Sequence, residues 1–464
     1  MRLQNFKSWA DTGELKLAPA TGFFGANSSG KSSLLHAFVL MKQTAQSNDI
    51  SSALNLGDKG RIIDFGNYTQ ILHDGIFNQL EMMFAWNMPS YTVALSQFIR
   101  SETRELDALS AVAQSAVLQG DIQFEFRMPL LGEHVENLTY RTGPARIEYS
   151  DTGDHSLPES HRYQLKMVAD ESSPPDEYME DNLTELPPPA KCYGFGGDVR
   201  SATHTSPFLR ALERDFEIRF FDRLFYLGPL RQRAERTYLW RQHAPADVGT
   251  DGSNAVQALL AARDRGKTNS RQPVDGEGFV DRINVEEHVA QWLHELQLAS
   301  VFETRRLRDD YYEVLIRAAP NSRQIPLVDV GFGVSQVLPV LVLLAYVPEG
   351  TTVLLEQPEM HLHPASQSAL ADVLLEAAKV RNLQVIVESH SEHLLTRLQR
   401  RVAEETASND DVALYFCEHD GHESQITPLE VNGLGEIENW PPDFFGDAMG
   451  EAVAMVEARA HRAD

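Results

Sequence analysis

The residues with the clearest chemical potential lie in the segment GFFGANSSGKSS, residues 22–33. The spacing GxxxxGK[ST] is met by Gly25, Gly30, Lys31 and Ser32. In this pattern glycines let backbone N–H groups curl around a triphosphate, the lysine reaches the β- and γ-phosphates, and the hydroxyl binds Mg²⁺. An apolar run before the segment and a helical pattern after it are the setting that the pattern requires. It therefore predicts a phosphate-binding loop, whose remaining residues are Asn27, Ser28, Ser29 and Ser33.

A second segment, TVLLEQPEMHLHP at residues 352–364, could supply the acidic group that a phosphate loop needs. An apolar run leads into Glu356. This places the carboxylate at the C-terminal end of a predicted buried strand, where ligands bind in open α/β sheets. A carboxylate there can hold Mg²⁺ through a water molecule. The segment therefore predicts the metal side of a nucleotide site, with Ser32 and Glu356 as metal ligands.

Two further segments carry groups that suit phosphate chemistry. His390, in QVIVESHSEHLL, follows a predicted buried strand and precedes a helix, where an imidazole can bind a γ-phosphate or orient water. A single histidine in such a place is more often structural. The segment GFGVSQVLP opens a helix with Gly331, Gly333 and Ser335, and a helix N-terminus favours an anion. Each segment is weak alone and gains weight from the phosphate loop.

These groups must be positioned by the elements around them. A strand at 22–24 and a helix at 31–46 flank the phosphate loop. Further strands are predicted at 352–355 and at 384–391, a range that includes the exit of the strand, and helices at 364–379 and 392–407. The loop VDVGFGVSQ is predicted to start a further apolar helix that reaches about residue 345. Because this alternation favours a parallel sheet covered on both faces, we expect the loop, Glu356 and His390 at one edge of that sheet.

Outside this core the patterns are more mixed. Residues 121–168 alternate with a period of two and predict an antiparallel meander, and residues 169–197 are acidic and rich in Pro and Gly, which predicts a mobile surface loop. The remaining expectations are strands at 1–6 and 14–17, a loop at DFGNYTQILHDG, helices at 91–118, 254–264 and 280–298, and strands near 300–305 and 311–317.

Composition narrows the function classes. The 464 residues carry 41 basic and 67 acidic side chains, a net charge of −26, which lowers the expectation of non-specific DNA binding without excluding it. No apolar stretch reaches 18 residues, so no membrane span is expected. Two cysteines do not make a disulfide framework and the N-terminus lacks the apolar region of a signal peptide, so we expect a cytoplasmic protein.

The order of these motifs resembles the ABC-type ATPases of the SMC, RecF and OLD group. More narrowly, YLGPLR (226–231), EQPEMHLHP, ESHSEHLLTRLQRR and WPPDFFGDAM (440–449) resemble bacterial AAA-family ATPases that end in a short domain of unknown function. The resemblance implies an α/β fold: an ABC-type P-loop ATPase head with an N-terminal antiparallel part, a parallel core and an inserted α+β region. The expected divisions are 1–90 and 217–418 for the head, 91–216 for the insertion, and 419–464 for the C-terminal domain.

The resemblance also implies roles for particular residues. Gly333 and Ser335 would lie across a head-to-tail homodimer and contact the γ-phosphate bound by the other subunit. His390 would be the switch histidine, and Gln70 the glutamine that senses Mg²⁺. His363 stands where many ABC proteins have an aspartate, which leaves that dimer contact open.

Catalysis is the point at which this chain departs from the group. The group has two acids before the proline, the second being the base, and here these positions are Glu356 and Gln357. Glutamine can orient a water molecule but cannot take its proton, so we expect slow hydrolysis. Glu359 is the alternative base, although it could equally cap the following helix.

The function expected from the sequence is an ATP- and Mg²⁺-dependent ATPase that dimerises and acts as a switch. The resemblance implies a role in bacterial anti-phage defence. Because the tail after residue 418 lacks the acidic pattern of a Toprim nuclease, any effector activity is expected to come from a partner protein. Two alternatives stay open: an ATP-clamped scaffold without relevant turnover, and a RecF-like repair ATPase that binds DNA.

Overall fold

The computed structural model describes residues 1–57, 62–73, 79–87, 121–129, 134–142, 145–158, 161–169, 182–196, 206–271, 281–441 and 455. The helix predicted at 91–118 and residues 170–181 of the predicted acidic loop lie outside this part of the chain. Within the described residues, no helix combines the length and apolar character needed to cross a membrane.

The β-strands and α-helices are numbered separately, each in the order of the chain. The strands are β1 (Arg2–Phe6), β2 (Trp9–Asp11), β3 (Ala20–Gly25), β4 (Gln79–Asn87), β5 (Asp121–Pro129), β6 (Asn137–Thr142), β7 (Ala145–Asp151), β8 (Tyr163–Ala169), β9 (Asn182–Leu186), β10 (Leu224–Leu227), β11 (Tyr238–Leu239), β12 (Thr268–Arg271), β13 (Asp281–Asn284), β14 (Val301–Arg308), β15 (Tyr311–Arg317), β16 (Ile325–Pro326), β17 (Thr352–Glu356), β18 (Gln384–Glu388), β19 (Val412–His419) and β20 (Ser424–Pro428). The α-helices are α1 (Lys31–Gln46), α2 (Tyr68–Ile71), α3 (Ser206–Glu217), α4 (Ala255–Asp264), α5 (Val285–Glu295), α6 (Phe332–Tyr346), α7 (Pro364–Val380) and α8 (Glu392–Ala403).

The chain divides into two compact units, and the division falls within α1. One unit comprises Met1–Lys16 and His36–Asp222, and the other Leu17–Leu35 and Arg223–Asp464. The four divisions expected from the sequence stay predictions.

The first unit is built on an antiparallel sheet of eight strands in the order β2-β1-β4-β5-β6-β7-β8-β9. In β5, Ile122, Phe124 and Phe126 are buried while Gln123 and Glu125 between them are partly exposed, as the period of two requires. The predicted meander is therefore confirmed. Asn182–Leu186 form β9, paired with β8, so the prediction of a loop was wrong for these residues.

The second unit holds a six-stranded sheet in the order β10-β17-β18-β3-β19-β20. The first five strands are parallel and β20 runs antiparallel to β19. Strands β3, β10 and β17 are buried along their whole length, because a parallel sheet carries helices on its faces. This mixed α/β architecture, with an antiparallel N-terminal part and a parallel core, confirms the predicted fold class.

Most of the helices lie close to their predicted positions, with differences at their ends. Helix α1 has the bounds predicted from the sequence, and α6 is buried on nearly all sides and packs against α4 and α5. The helix predicted from residue 280 begins later, at Val285, because Asp281–Asn284 pair with β12 and the Asn284 side chain caps α5. The helix predicted to residue 407 ends at Ala403.

Two local predictions near the N-terminus were wrong. No strand forms at 14–17, and β2 at Trp9–Asp11 pairs with β1 instead. The residues after β2 make isolated contacts, in which Thr12 N–H donates to Leu3 O at 3.0 Å and Leu15 and Met1 bond to each other's backbone. The predicted loop around Gln70 contains α2. This short helix forms because Asn67 and Gln70 make a reciprocal capping box.

Candidate nucleotide-binding site

The phosphate loop connects β3 to α1 in the second unit. Its backbone takes left-handed conformations at Gly25 (φ +138°), Ser28 (φ +60°) and Gly30 (φ +86°), which curl the chain before the helix. Gly25 is paired with Cys417 of β19, and a Cβ at Gly25 would collide with the Cys417 carbonyl. Glycine is therefore required at the point where the strand becomes the loop.

We expect Gly25→Ala to lower the free energy of unfolding by about 2–4 kcal/mol, because it combines a strained φ with a backbone collision. The matched control is Gly421→Ala, since Gly421 has φ +100° but no atom near the position of the added Cβ. This control should lose only about 1 kcal/mol. Urea unfolding of both variants measures the difference, and equal losses would contradict the close approach to Cys417.

Lys31 is the first residue of α1 and only 3% of it is exposed. Its Nζ donates to the Ala26 carbonyl at 2.5 Å and to Ser29 Oγ at 3.1 Å, so the ammonium lies inside the curl of the loop. Burial lowers the pKa of Lys31, and the nearby carboxyl of Glu388 is the largest opposing influence. The loop thus presents one cation among its own oxygen atoms.

Glu356 is the last residue of β17 and is buried. Its carboxylate accepts a hydrogen bond from Tyr226 Oη at 2.8 Å, and Arg231 Nη2 donates to its backbone carbonyl at 2.8 Å. In the sheet register Glu356 stands opposite Glu388, the last residue of β18. The C-terminal ends of two adjacent parallel strands therefore each provide a carboxyl group.

Glu388 was not among the residues singled out from the sequence. It is 4% exposed, and its carboxylate accepts a hydrogen bond from the hydroxyl of Ser32. Burial raises the pKa of Glu388 to about 7; the Ser32 hydrogen bond opposes this increase and the neighbouring Glu356 adds to it. The sequence did contain a signal for this residue, because Glu388 follows an apolar run at the end of a strand, as Glu356 does.

Glu359 lies beside the same group and is also buried. Its Oε1 accepts the backbone N–H of His390 at 2.9 Å. Burial raises the pKa of the Glu359 carboxyl, and this N–H and the charge of Arg231 partly oppose the increase. The side chain that caps α7 is that of His363, not that of Glu359, so Glu359 faces the exit of β18.

Gln357 turns the chain immediately after β17. Its φ is +44°, unusual for a residue with a side chain, and its N–H donates to the Glu388 carbonyl at 2.9 Å. This bond fixes the turn against the end of β18. The Gln357 side chain is partly exposed.

His390 leaves β18 at the phosphate loop. Burial lowers the pKa of its imidazole, as does the charge of Lys31, while a hydrogen bond with the backbone of Gly25 raises it. The two lowering influences favour a neutral ring at pH 7. Lys31, Ser32, the three carboxyl groups and His390 are therefore brought together at one end of the parallel sheet.

Other predicted residues lie elsewhere in the fold. Ser335 is in the first turn of α6, 8% exposed, and its hydroxyl donates to the Phe332 carbonyl at 2.8 Å. Gly333 faces the His361 carbonyl, which a Cβ would crowd at 2.7 Å. Gln70 belongs to the first unit, where its Oε1 accepts the N–H of Asn67 at 2.8 Å. The roles of these residues stay predictions.

Two residues that support the site come from the segment YLGPLR. Tyr226, on β10, holds the Glu356 carboxylate, and Arg231 is buried with its guanidinium bonded to the turn at Glu356 and Gln357. Burial lowers the pKa of Arg231 to about 10, and Glu359 and Glu356 oppose this decrease. The segment was noted for its resemblance, but its chemistry became clear only once β10 was placed next to β17.

Comparisons with known families match two parts of the chain. Residues 203–396 match the family described as "AAA domain, putative AbiEii toxin, Type IV TA system". Residues 408–455 match the family described as a protein of unknown function, DUF3696. No curated protein matches the chain.

Solved structures of SMC heads align with nearly the whole chain at low identity. The SMC head domain from Thermotoga maritima is 15% identical over 93% of this chain and 98% of that one, with a TM-score of 0.36. The SmcHead bound to the C-winged helix domain of ScpA is 11% identical over 93% and 97%, with a TM-score of 0.42. The two family matches, an AAA domain followed by a DUF3696 segment, agree with the resemblance to bacterial AAA-family ATPases that end in a short domain of unknown function.

Proposed function

We propose that the chain binds ATP with Mg²⁺ around the phosphate loop and hydrolyses it slowly. The observation that carries this proposal is the arrangement at the carboxyl end of the parallel sheet. There Lys31, the Ser32 hydroxyl, His390 and three buried carboxyl groups converge on one loop. The match of residues 203–396 to an AAA domain supports the same proposal.

The loop residues fit a polyphosphate. Left-handed residues curl the backbone before α1, and the N-terminus of that helix adds partial positive charge. The Lys31 ammonium is held by one carbonyl and one hydroxyl of its own loop. A phosphate oxygen is a stronger, charge-assisted acceptor than either, so the lysine can exchange these partners for phosphate.

The chemistry of the oxygen donors fits Mg²⁺. The Ser32 hydroxyl and, through a water molecule, the Glu356 carboxylate would supply the hard oxygen donors that this ion prefers. When bound, the ion neutralises charge on the β- and γ-oxygens. Tyr226 fixes the orientation of the Glu356 carboxylate.

The chain's own groups suggest how hydrolysis would proceed. We assign Gln357 to orient the attacking water and Glu359 to accept its proton, because Glu359 is the buried carboxyl beside His390. The neutral imidazole of His390 has a single N–H, which would exchange its hydrogen bond with the Gly25 backbone for one to the γ-phosphate. A glutamine in place of the usual acid makes this a slow reaction.

The direct test is calorimetry of the full chain with ATP and Mg²⁺, followed by a single-turnover measurement with the chain in excess. We expect saturable binding and slow release of phosphate. Tight binding with no phosphate release would favour the ATP-clamped scaffold, and the absence of binding would reject the proposal altogether.

We further propose that two copies dimerise head to tail around ATP, with the N-terminus of α6 facing the partner's γ-phosphate. Gly331 and Phe332 at this helix end are exposed, as an interface requires. The assembly would act as a nucleotide-dependent switch for an effector protein in bacterial defence. The effector is tested by comparing the proteins that co-purify from cells with the unsubstituted chain and with a variant that does not bind ATP. The same set of partners for both would contradict the switch.

Gly331→Asp should prevent ATP-driven dimerisation without harming the fold. Gly331 is the N-cap of α6, its added Cβ would meet no atom, and aspartate is a preferred cap. The carboxylate would face the partner's phosphate and weaken dimerisation at least about tenfold. This test is cleaner than a substitution of Ser335, which is buried.

Light scattering with and without ATP measures the dimer, and Gly433→Asp is the control with the same charge change at an open position. The control should dimerise like the unsubstituted chain. A Gly331→Asp variant that also dimerises normally would contradict the role of this helix end in the interface.

A further inference from the structure

Glu388 has an environment that the assigned roles do not explain. It is at the end of β18, between Glu356 on β17 and Phe23 on β3, which is the strand that leads into the phosphate loop. Only 4% of the residue is exposed to solvent. One carboxyl oxygen, Oε2, has no hydrogen-bond partner among the described residues. A buried carboxyl oxygen without a partner is costly and points to a ligand.

We infer that Glu388 is a positioning residue for Mg²⁺ bound with ATP, acting on the ion through the Ser32 hydroxyl and through a metal-bound water. This inference rests on the proposed function and adds to it a residue that the sequence did not single out.

The hydrogen bond between Ser32 and Glu388 is the first step of the argument. A hydroxyl can bind a cation only with an oxygen lone pair, so its proton must point away from the ion. The Glu388 carboxylate accepts that proton, which leaves the lone pairs of Ser32 Oγ for the metal. Such hydrogen bonds behind a ligand commonly fix its orientation and raise metal affinity.

The register of the sheet gives the second step. Glu356 and Glu388 are direct partners on adjacent parallel strands, so their side chains project to the same face. If Glu356 holds the ion through water, as proposed, Oε2 of Glu388 is on the same face and can accept from another metal-bound water. Each of the two carboxylates would then accept a hydrogen bond from a water molecule bound to the ion.

Charge gives the third step. Glu356, Glu359 and Glu388 are three buried carboxyl groups, and Lys31 and Arg231 are the cations that act on them. Lys31 is the cation that a triphosphate would engage. Because a polyphosphate brings more negative charge to this region, a divalent cation is the natural complement beside Glu388.

The test compares metal-dependent and metal-free nucleotide binding in the full chain. The affinity for a non-hydrolysable ATP analogue is measured in EDTA and then with Mg²⁺, and binding of Mn²⁺ to the nucleotide-loaded protein is followed by electron paramagnetic resonance. Glu388→Gln should lower Mn²⁺ affinity roughly 10- to 100-fold. It should leave the affinity measured in EDTA nearly unchanged, because the amide oxygen can still accept from Ser32 while the amide nitrogen cannot accept from a metal-bound water.

A double-mutant cycle with Ser32→Ala tests the route through the hydroxyl. If Glu388 acts partly through Ser32, the losses in Mn²⁺ affinity in the double variant should be less than additive. Glu303→Gln is the matched control, since Glu303 is an exposed glutamate in the same unit, and it should behave like the unsubstituted chain.

The outcomes separate the two proposals. An unchanged Mn²⁺ affinity in Glu388→Gln would overturn the inference. It would also be overturned if this variant lost as much nucleotide affinity in EDTA as with Mg²⁺, because Glu388 would then only support the loop. If the unsubstituted chain binds no nucleotide with Mg²⁺, the proposed function itself fails.

Discussion

Lys31→Ala is expected to abolish ATP binding at any concentration that a titration can reach. The ammonium would contact the β- and γ-phosphates, and hydrogen bonds to charged groups contribute about 1.5–3 kcal/mol each. Two such bonds correspond to a loss of affinity of roughly 10²- to 10⁴-fold. Isothermal titration with ATP and Mg²⁺ should therefore show saturable binding for the unsubstituted chain and none for Lys31→Ala.

The fold should survive this change because Lys31 does not hold the unit together. Among the residues that the structure describes, its ammonium donates to its own loop, at Ala26 and Ser29. The control is Lys379→Ala, which removes an ammonium bonded to the Thr406 carbonyl on the surface of the same unit. That variant should bind ATP normally. If Lys31→Ala also binds ATP as tightly as the unsubstituted chain, the assignment of the phosphate loop is wrong.

The parts of the fold that were predictable are those whose pattern is local. The β3–loop–α1 segment is specified within about 25 residues by an apolar run, glycines and a helical pattern, and α1 has the bounds expected from the sequence. The parallel core followed from alternating strands and helices. The meander followed from a period of two, which the buried residues of β5 display.

The parts that were missed depend on partners that are distant in sequence. Strand β9 pairs with β8 across an acidic segment whose composition suggested only a loop. Asp281–Asn284 read as the start of a helix, yet pairing with β12 makes them a strand. Local propensity differs little between such alternatives, so tertiary pairing decides.

The same reason explains the site. The sequence pointed to Glu356 through its motif and to His390 through its position after a strand. It could not show that β17 and β18 are neighbours in register, which makes Glu388 the partner of Glu356. It also could not show that Tyr226 reaches the Glu356 carboxylate, 130 positions away along the chain.

Glu359→Gln is expected to have the second large effect, a reduction in the single-turnover rate of ATP hydrolysis by about 10²- to 10⁴-fold. The amide can still accept the backbone N–H of His390, which the Glu359 carboxyl accepts at 2.9 Å, so the geometry around His390 should persist. What the amide cannot do is take a proton from water. ATP affinity should therefore stay near that of the unsubstituted chain, and the ATP-bound dimer should accumulate in light scattering.

Gln357→Glu and Glu303→Gln complete this test. Gln357 directly follows Glu356 and its side chain is partly exposed. A carboxylate at this position would be able to accept a proton from water, so we expect turnover equal to or faster than normal. Glu303→Gln should change nothing, because Glu303 is exposed on β14. If Glu359→Gln hydrolyses ATP at the normal rate while Gln357→Glu is much faster, Glu359 is not the base. The chain would then lack a dedicated proton acceptor, and ATP would serve mainly to clamp two copies together.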